Sequence, residues 1–334
     1  MNIIETYAYA RAGLIGNPSD GYFGKTISIS VRNFRAHVIC YPSANLEIRG
    51  STIDQPIWNS IESLCEGVQL YGYYGGIRLI RAIIKRFADY CREQNIQLPK
   101  RNFTIEYESD IPARVGLAGS SAIITATLRA LMQFFEVDIP KEIQPNIILS
   151  SEKDELGIGA GLQDRVIQVY ENMVYMDFDQ EHLEREKHGI YESLNPSLLP
   201  NLFIAYDTRL SEGSEVFHNN IRERFNQGDQ VIVDAMKQFA KFAEDAKKAL
   251  LAGEKEKLSE LMNQNFDLRS SLYKLRKSDL DLVNYARLVG ASSKFAGSGG
   301  AVIGTYKDEA MLDRLKEMYA KLGAELIVPV IQPA

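Results

Sequence analysis

The sequence predicts a globular protein of mixed strands and helices, and three observations carry that reading. Short runs rich in β-branched and aromatic residues lie toward both ends, at 26–31, 34–41, 301–306 and 325–330. Between them, 215–275 is compatible with helix almost throughout, broken only at Gly228 and Gly253. The 334 residues are 45% hydrophobic and 25% charged, near the averages of folded chains, so a full core is expected in two domains or one large one.

Composition also excludes several classes. With 38 Lys plus Arg against 44 Asp plus Glu, the net charge of −6 argues against nucleic acid as the main ligand and leaves small anions open. Cys40, Cys65 and Cys91 are far apart and in no CxxC pattern, so neither a disulfide framework nor a thiolate metal site is expected, and a reducing, cytoplasmic setting fits. Glu5 stands where a signal peptide wants basic residues, and Arg129 interrupts the richest apolar stretch, 122–135; no export segment, membrane span or membrane partner is expected. His37, His182, His188 and His218 show no ligand spacing, and no GxSxG elbow is present. Oligomeric state leaves no signal.

The elements follow in order. A first strand from about residue 8 ends in the turn formers Gly16-Asn17-Pro18-Ser19-Asp20-Gly21. Runs 26–31 and 34–41, separated by Arg32-Asn33, read as two strands joined by a turn. Ile77, Ile80, Ile84, Phe87 and Ala88 recur at helical spacing, with Arg78, Arg81, Lys85 and Arg86 as a solvated face. A strand at 103–107 leads through Pro112 to the small-residue loop Gly116-Leu117-Ala118-Gly119-Ser120-Ser121 and a buried helix over 122–135. A helix over about 143–153, with Pro145 in its first turn, runs into the glycine-rich 157–161 and then Leu162-Gln163-Asp164-Arg165. After a strand at 173–178, the segment 193–201 with Pro196 and Pro200 reads as a connector between domains 1–195 and 196–334. The second domain begins with a strand at 202–206, and helices fill 215–275 and 279–289. It closes as strand 292–295, glycine-rich turn, strand 301–306, helix 309–322 and strand 325–330.

Two motif matches fail. Gly24-Lys25-Thr26 lacks the P-loop glycine, since Ser19 stands there, and Gly297-Ser298-Gly299-Gly300 lacks the last glycine of GxGxxG, since Val302 stands there. The loop 116–121 is different, because it opens a strong helix whose first-turn N–H groups lack partners and carry the positive end of the dipole. It is either a phosphate cradle or a loop in which Ser120 or Ser121 caps the helix. Ser121 offers a hydroxyl to a Mg²⁺ ion between phosphates, with Glu152 and Asp164 as carboxylates flanking the turn 157–161. Taken alone, Glu152, at a Glu/Lys/Asp-rich helix end, reads first as solvent-facing. Asp164 is either an acid at a helix N-terminus or a base for an attacking hydroxyl, Arg165 a salt-bridge partner or an anion binder, and Asp20 a turn cap or an acceptor for sugar hydroxyls. Trp58, Tyr73 and Tyr74 line a base pocket or pack in a core.

Three segments fall in one order: Ala10-Arg11-Ala12-Gly13-Leu14-Ile15-Gly16-Asn17-Pro18-Ser19-Asp20, Ile111-Pro112-Ala113-Arg114-Val115-Gly116-Leu117-Ala118-Gly119-Ser120-Ser121-Ala122, and Lys294-Phe295-Ala296-Gly297-Ser298-Gly299-Gly300-Ala301. Together they resemble the three motifs of the GHMP small-molecule kinases. Tyr22-Phe23-Gly24-Lys25-Thr26, Tyr73-Tyr74-Gly75-Gly76 and 157–165 are similar to the glucuronokinase branch. The resemblance implies an α+β GHMP kinase fold, with a ribosomal protein S5 domain 2-like, ATP-binding domain over 1–195 and a ferredoxin-like domain over 196–334, the site lying between them. It implies ATP phosphates on Pro112, Gly116, Leu117, Ala118, Gly119, Ser120 and Ser121, and Mg²⁺ at Ser121 and Glu152. It makes Asp164 and Arg11 catalytic and gives the substrate to Asn17, Asp20, Arg165, Gly297, Ser298, Gly299 and Gly300. The activity implied is ATP-dependent phosphorylation of the anomeric hydroxyl of D-glucuronate. A sibling kinase of galacturonate, a heptose or another hexose, a sensor on the same fold that binds sugar and nucleotide without turnover, and a decarboxylase on the same fold acting on a phosphorylated isoprenoid acid are the other readings. Ala118 and Ile123 replace the commoner Gly and Ala of the middle motif. Asn17-Pro18 replaces the Glu-His of galactokinases, which argues against galactose.

Overall fold

The computed structural model describes residues 3–50, 54, 60, 75–208 and 215–332, with 215–220 described by backbone alone. Trp58, Cys65, Tyr73, Tyr74 and the His218 side chain, all singled out above, lie outside the described residues. The chain forms two compact units: Met1–Ala10, Phe34–Ile111 and Ala118–Val169 make the first, Arg11–Asn33, Pro112–Leu117 and Tyr170–Ala334 the second.

In the first unit, β2 (Lys25–Ser43), which follows β1 (Ile4–Ile15), contributes its second half. It pairs antiparallel with β4 (Asn102–Ser109) from Ala36↔Ser109 to Ser43↔Asn102, and β3 (Glu47–Arg49) lies parallel to β4. The helices are α1 (Gly76–Glu93), α2 (Gly119–Phe135), α3 (Gln144–Ser150) and α4 (Gln163–Tyr170). Helix α1 buries Leu79, Ile80, Ile83 and Phe87 on one stripe, whereas α2 is buried almost all round, because Ala, Thr and Leu fill its faces. Phe87 stacks on Phe135 at 5.8 Å and Phe103 meets Phe134 edge-on at 5.2 Å. The one charge within α2, Arg129, is satisfied by main chain, donating to the carbonyls of Tyr7 at 2.6 Å and Gln168 at 2.7 Å. On the outer face of α1, Arg81 is exposed and Lys85 pairs with Asp89 and Glu155 as a solvated face should, but Arg86 donates to Ser150 Oγ at 3.0 Å and ties α1 to α3.

In the second unit, β5 (Met173–Asp177) pairs antiparallel with β2 from Asp177↔Lys25 to Met173↔Ile29, and with β6 (Ile190–Ser193) across α5 (Gln180–Glu186). A second sheet contains β7 (Leu202–Tyr206), β8 (Lys294–Phe295), β9 (Ala301–Thr305) and β10 (Glu325–Ile327), antiparallel in the order β10-β7-β9-β8. Helices α6 (Glu215–Asn226), α7 (Gln230–Ala252), α8 (Lys255–Leu272) and α9 (Lys277–Leu288) join β7 to β8, and α10 (Glu309–Leu322) joins β9 to β10. That order and connectivity are ferredoxin-like, as the resemblance implied. Gly228 and Gly253, where the helical run was expected to break, hold φ of 76° and 75° between the helices. Phe203, Phe295, Leu282, Leu315 and Tyr319 form the core against this sheet, and the buried Tyr319 hydroxyl donates to the Leu282 carbonyl at 2.7 Å. Among the described residues no helix is long and apolar enough to cross a membrane.

Three local expectations are corrected. Runs 26–31 and 34–41 are not a hairpin but one 19-residue strand. Arg32 and Asn33 stay extended because the C-terminal segment pairs with them: Arg32 N donates to Val330 O at 2.7 Å and Val330 N to Asn33 Oδ1 at 2.8 Å. The same contacts explain why β10 stops at Ile327 instead of running to 330. The helix expected to 153 narrows to Gln144–Ser150 and continues as a wider π turn, Ser151–Glu155.

Candidate active site

Between β4 and α2, Arg114, Gly116 and Ala118 take φ of 62°, 74° and 64°, alternating with residues that do not. Such alternation turns successive amides toward one side and makes a concavity that suits an anion. Gly116 is where this path demands glycine, since a Cβ there would also lie 2.8 Å from the Gly299 carbonyl. Pro112 precedes the loop, and Leu117 within it is buried.

Ala118 is itself the N-cap residue of α2, and no side chain caps the helix. The capping alternative for Ser120 and Ser121 is therefore set aside. Gly119 begins the helix, Ser120 Oγ donates to Glu152 Oε1 at 2.8 Å, and Ser121 Oγ donates to the Ala118 carbonyl at 3.2 Å. That carbonyl also accepts Gln168 Nε2 at 2.9 Å and Ala122 N at 3.2 Å, which fixes the left-handed corner.

Glu152 is fully buried, not solvent-facing. Its Oε2 accepts from the Arg165 guanidinium, at 2.7 Å from Nε and at closer range from the terminal nitrogen. Removing one partner of such a pair would strand the other charge, so the two hold each other in place. Arg165 also donates to Gly161 O at 2.8 Å and lies 3.4 Å from Asp164 Oδ2. Asp164, in the first turn of α4 with its side chain 20% exposed, is thus linked through Arg165 and Glu152 to Ser120. Sequence reasoning named all four residues but missed the Glu152–Arg165 pair, because the partners stand on either side of a turn.

Mg²⁺ takes oxygen ligands, commonly one or two carboxylates with substrate phosphates and water. Glu152 and the Ser120 hydroxyl beside it are such donors, and a carboxylate oxygen that accepts one hydrogen bond keeps further lone-pair capacity. The donor set fits an ion shared with a nucleotide. Among the described residues no group of three or more His, Cys, Asp or Glu side chains could hold a metal by itself.

In the second unit, Arg11 on β1 is buried and binds two glycine-rich segments. Its backbone N donates to Leu117 O at 3.2 Å, and its side chain donates to Gly116 O at 2.7 Å and Ala296 O at 2.9 Å. Gly297 has to be glycine, because a Cβ would collide with Gly116 O and crowd the Arg11 guanidinium. Arg269, buried on α8 and not foreseen in the sequence, donates to the carbonyls of Gly297 at 2.9 Å and Ser298 at 3.2 Å. Gly299 follows at φ 149°, and Gly300 N donates to Asp279 Oδ1 at 3.0 Å. Asn17 is buried, while Asp20 lies half-buried in the turn Ser19–Tyr22, which the Arg222 guanidinium covers 4.3 Å above the Tyr22 ring. Burial raises the Tyr22 phenol, opposed by Arg222 and reinforced by Asp20. Lys294 is also buried. Its ammonium is driven well below the usual lysine range, first by burial and then by the Arg269 and Arg11 charges.

The family model of the GHMP kinases N terminal domain matches residues 78–172. Glucuronokinase 1 of Arabidopsis thaliana is 46% identical over 306 residues, 90% of this chain and 84% of that protein. Probable glucuronokinase 2 of the same organism is 42% identical over 335 residues, 98% of this chain and 91% of that protein. The structure of Lactococcus lactis galactokinase complexed with galactose matches in fold with a TM-score of 0.76 at 15% identity, covering 99% of this chain and 94% of that one.

Proposed function

The chain belongs to the GHMP kinases, and from that premise we propose that it transfers the γ-phosphoryl group of ATP to the anomeric hydroxyl of D-glucuronate, giving glucuronate 1-phosphate and ADP. The observation that carries the substrate is the identity of 46% and 42% to two glucuronokinases over most of their length. The class of reaction, phosphotransfer to an alcohol with ATP as donor, comes with the family.

Phosphoryl transfer needs little covalent help from a protein; it needs positioned partners and places for charge. The amides of 116–121 take the ATP phosphates. Asp164 receives the proton of the anomeric hydroxyl as that oxygen bonds the γ-phosphorus and the bond to the β-phosphate oxygen breaks. Arg165, 3.4 Å from Asp164 and anchored by Glu152, keeps the carboxylate oriented. Arg11 brings positive charge and holds the Gly116 and Ala296 carbonyls, and Asn17, Asp20 and residues 297–300 take the sugar. A Mg²⁺ held by Glu152 and the hydroxyls of Ser120 and Ser121 would neutralise phosphate charge. The division at 195/196 and a cytoplasmic location belong to the same proposal.

The test is a panel of sugars with ATP and Mg²⁺, read by ADP release. Glucuronate is expected to give the highest kcat/KM. Turnover of galacturonate, a heptose or a hexose in its place overturns the substrate, and no ADP with any sugar overturns the catalysis.

A further inference from the structure

Asn17 is 5% exposed, and its side-chain oxygen accepts the Lys294 ammonium at 2.7 Å. Lys294, 1% exposed, directs its remaining donors to the carbonyls of Gly13 and Phe295, each also at 2.7 Å. An ammonium only donates, so it must face the oxygen end of the amide and turn the nitrogen end away. That nitrogen, Nδ2, makes no hydrogen bond with any described residue; the other bond made by Asn17 is through its main-chain carbonyl, which takes Asn265 Nδ2 at 3.1 Å. Nδ2 is not among the fully enclosed side-chain atoms that lack a partner, so it stands within reach of solvent, where the acceptor of a ligand can meet it.

The charges around it point to the sign of that ligand. All three acceptors of Lys294 are neutral, and the charges that bear on it are those of Arg269 and Arg11, both cations. An anion seated at Asn17 offsets this excess, whereas a carboxylate side chain at position 17 would cancel it beforehand.

We infer that Asn17 reads the carboxylate of a uronic acid substrate through Nδ2, with Lys294 as the positioning residue that decides which end of the amide faces outward. This rests on the sugar-acid reading above and assigns the substrate's carboxylate, not its reacting hydroxyl, to Asn17. It explains in chemical terms the Asn-Pro that stands where galactokinases have Glu-His: an amide donor suits a carboxylate, and an acidic side chain repels one.

The experiment measures kcat/KM for matched pairs, glucuronate with glucose and galacturonate with galactose, in the wild type and Asn17→Asp, which keeps the shape and pairs with Lys294. The acid-over-hexose preference is expected to fall by about 100-fold, and the thermal shift given by glucuronate without nucleotide to vanish. Lys294→Met is expected to raise KM for the acid about 10-fold with a smaller change in kcat. Should Asn17→Asp fail to fold, Asn17→Ser, which withdraws the donor without adding charge, is measured by the same ratio and is expected to lower it. A wild type active on glucuronate whose preference survives substitution at Asn17 overturns this subsite alone. A wild type inert to glucuronate but active on another sugar acid, with the preference lost in Asn17→Asp, supports the subsite and overturns the substrate.

Discussion

Asp164 and Glu152 are both carboxylates beside Arg165, yet their surroundings differ. Asp164 keeps a partly open side chain beside one guanidinium, whereas Glu152 is closed in by Arg165 and Ser120. Asp164→Asn should therefore leave the melting temperature near that of the wild type and cut kcat by about 10²–10⁴, the usual loss of a positioned base; near-normal turnover removes Asp164 from the mechanism. Glu152→Gln should cost about 3–5 kcal/mol of stability by stranding Arg165, and Glu152→Gln combined with Arg165→Gln should recover a large part of it, read by denaturant unfolding. The sequence put Arg11 forward through motif order and Asp164 through the likeness over 157–165. Glu152 was ambiguous because its neighbours Lys153, Asp154 and Glu155 look solvated, and burial by a distant arginine leaves no local periodicity.

Among the elements, the glycine-rich segments carry the sharpest constraints. Gly297→Ala would drive a methyl group into Gly116 O and Arg11, so kcat/KM should fall by at least about 10-fold with a smaller change in melting temperature. Ala118→Gly acts in the opposite sense: alanine at φ 64° pays a left-handed penalty that glycine lacks, so the thermal midpoint should rise by about 1–3 °C. Helices with clear stripes or glycine ends, such as α7 and α10, were legible to within a few residues because period and caps are local. The single long β2 was not. Arg32-Asn33 has turn chemistry, and what overrides it is pairing with residues 328–330, nearly three hundred positions away.

At the scale of the whole molecule, the order of strands and helices could be read from the sequence, but partnerships such as β2 with both β4 and β5 depend on contacts that no window contains. Burial there has a titration consequence. Cys40 is pushed from 9.0 up to about 12, and Tyr175 and Tyr191 from 10.0 to about 12, in each case chiefly by burial. The folded chain keeps these protons to higher pH than the unfolded chain, so stability should decline as pH climbs from about 9 toward 12, measured as a falling denaturant midpoint. Iodoacetamide at pH 8 should leave Cys40 and Cys91 unmodified until denaturant is added, since both are buried and both thiols are raised.

Arg11, Arg129, Arg269 and Lys294 share a habit: each directs donors into main-chain oxygens. Every amino acid offers such an oxygen, so the residues being gripped are free to drift in type without loosening the grip. A scaffold fastened this way can retain its shape while most of its side chains are replaced. What it does not forgive is change at the gripping side chain, or at a glycine that lets the backbone come close enough to be held.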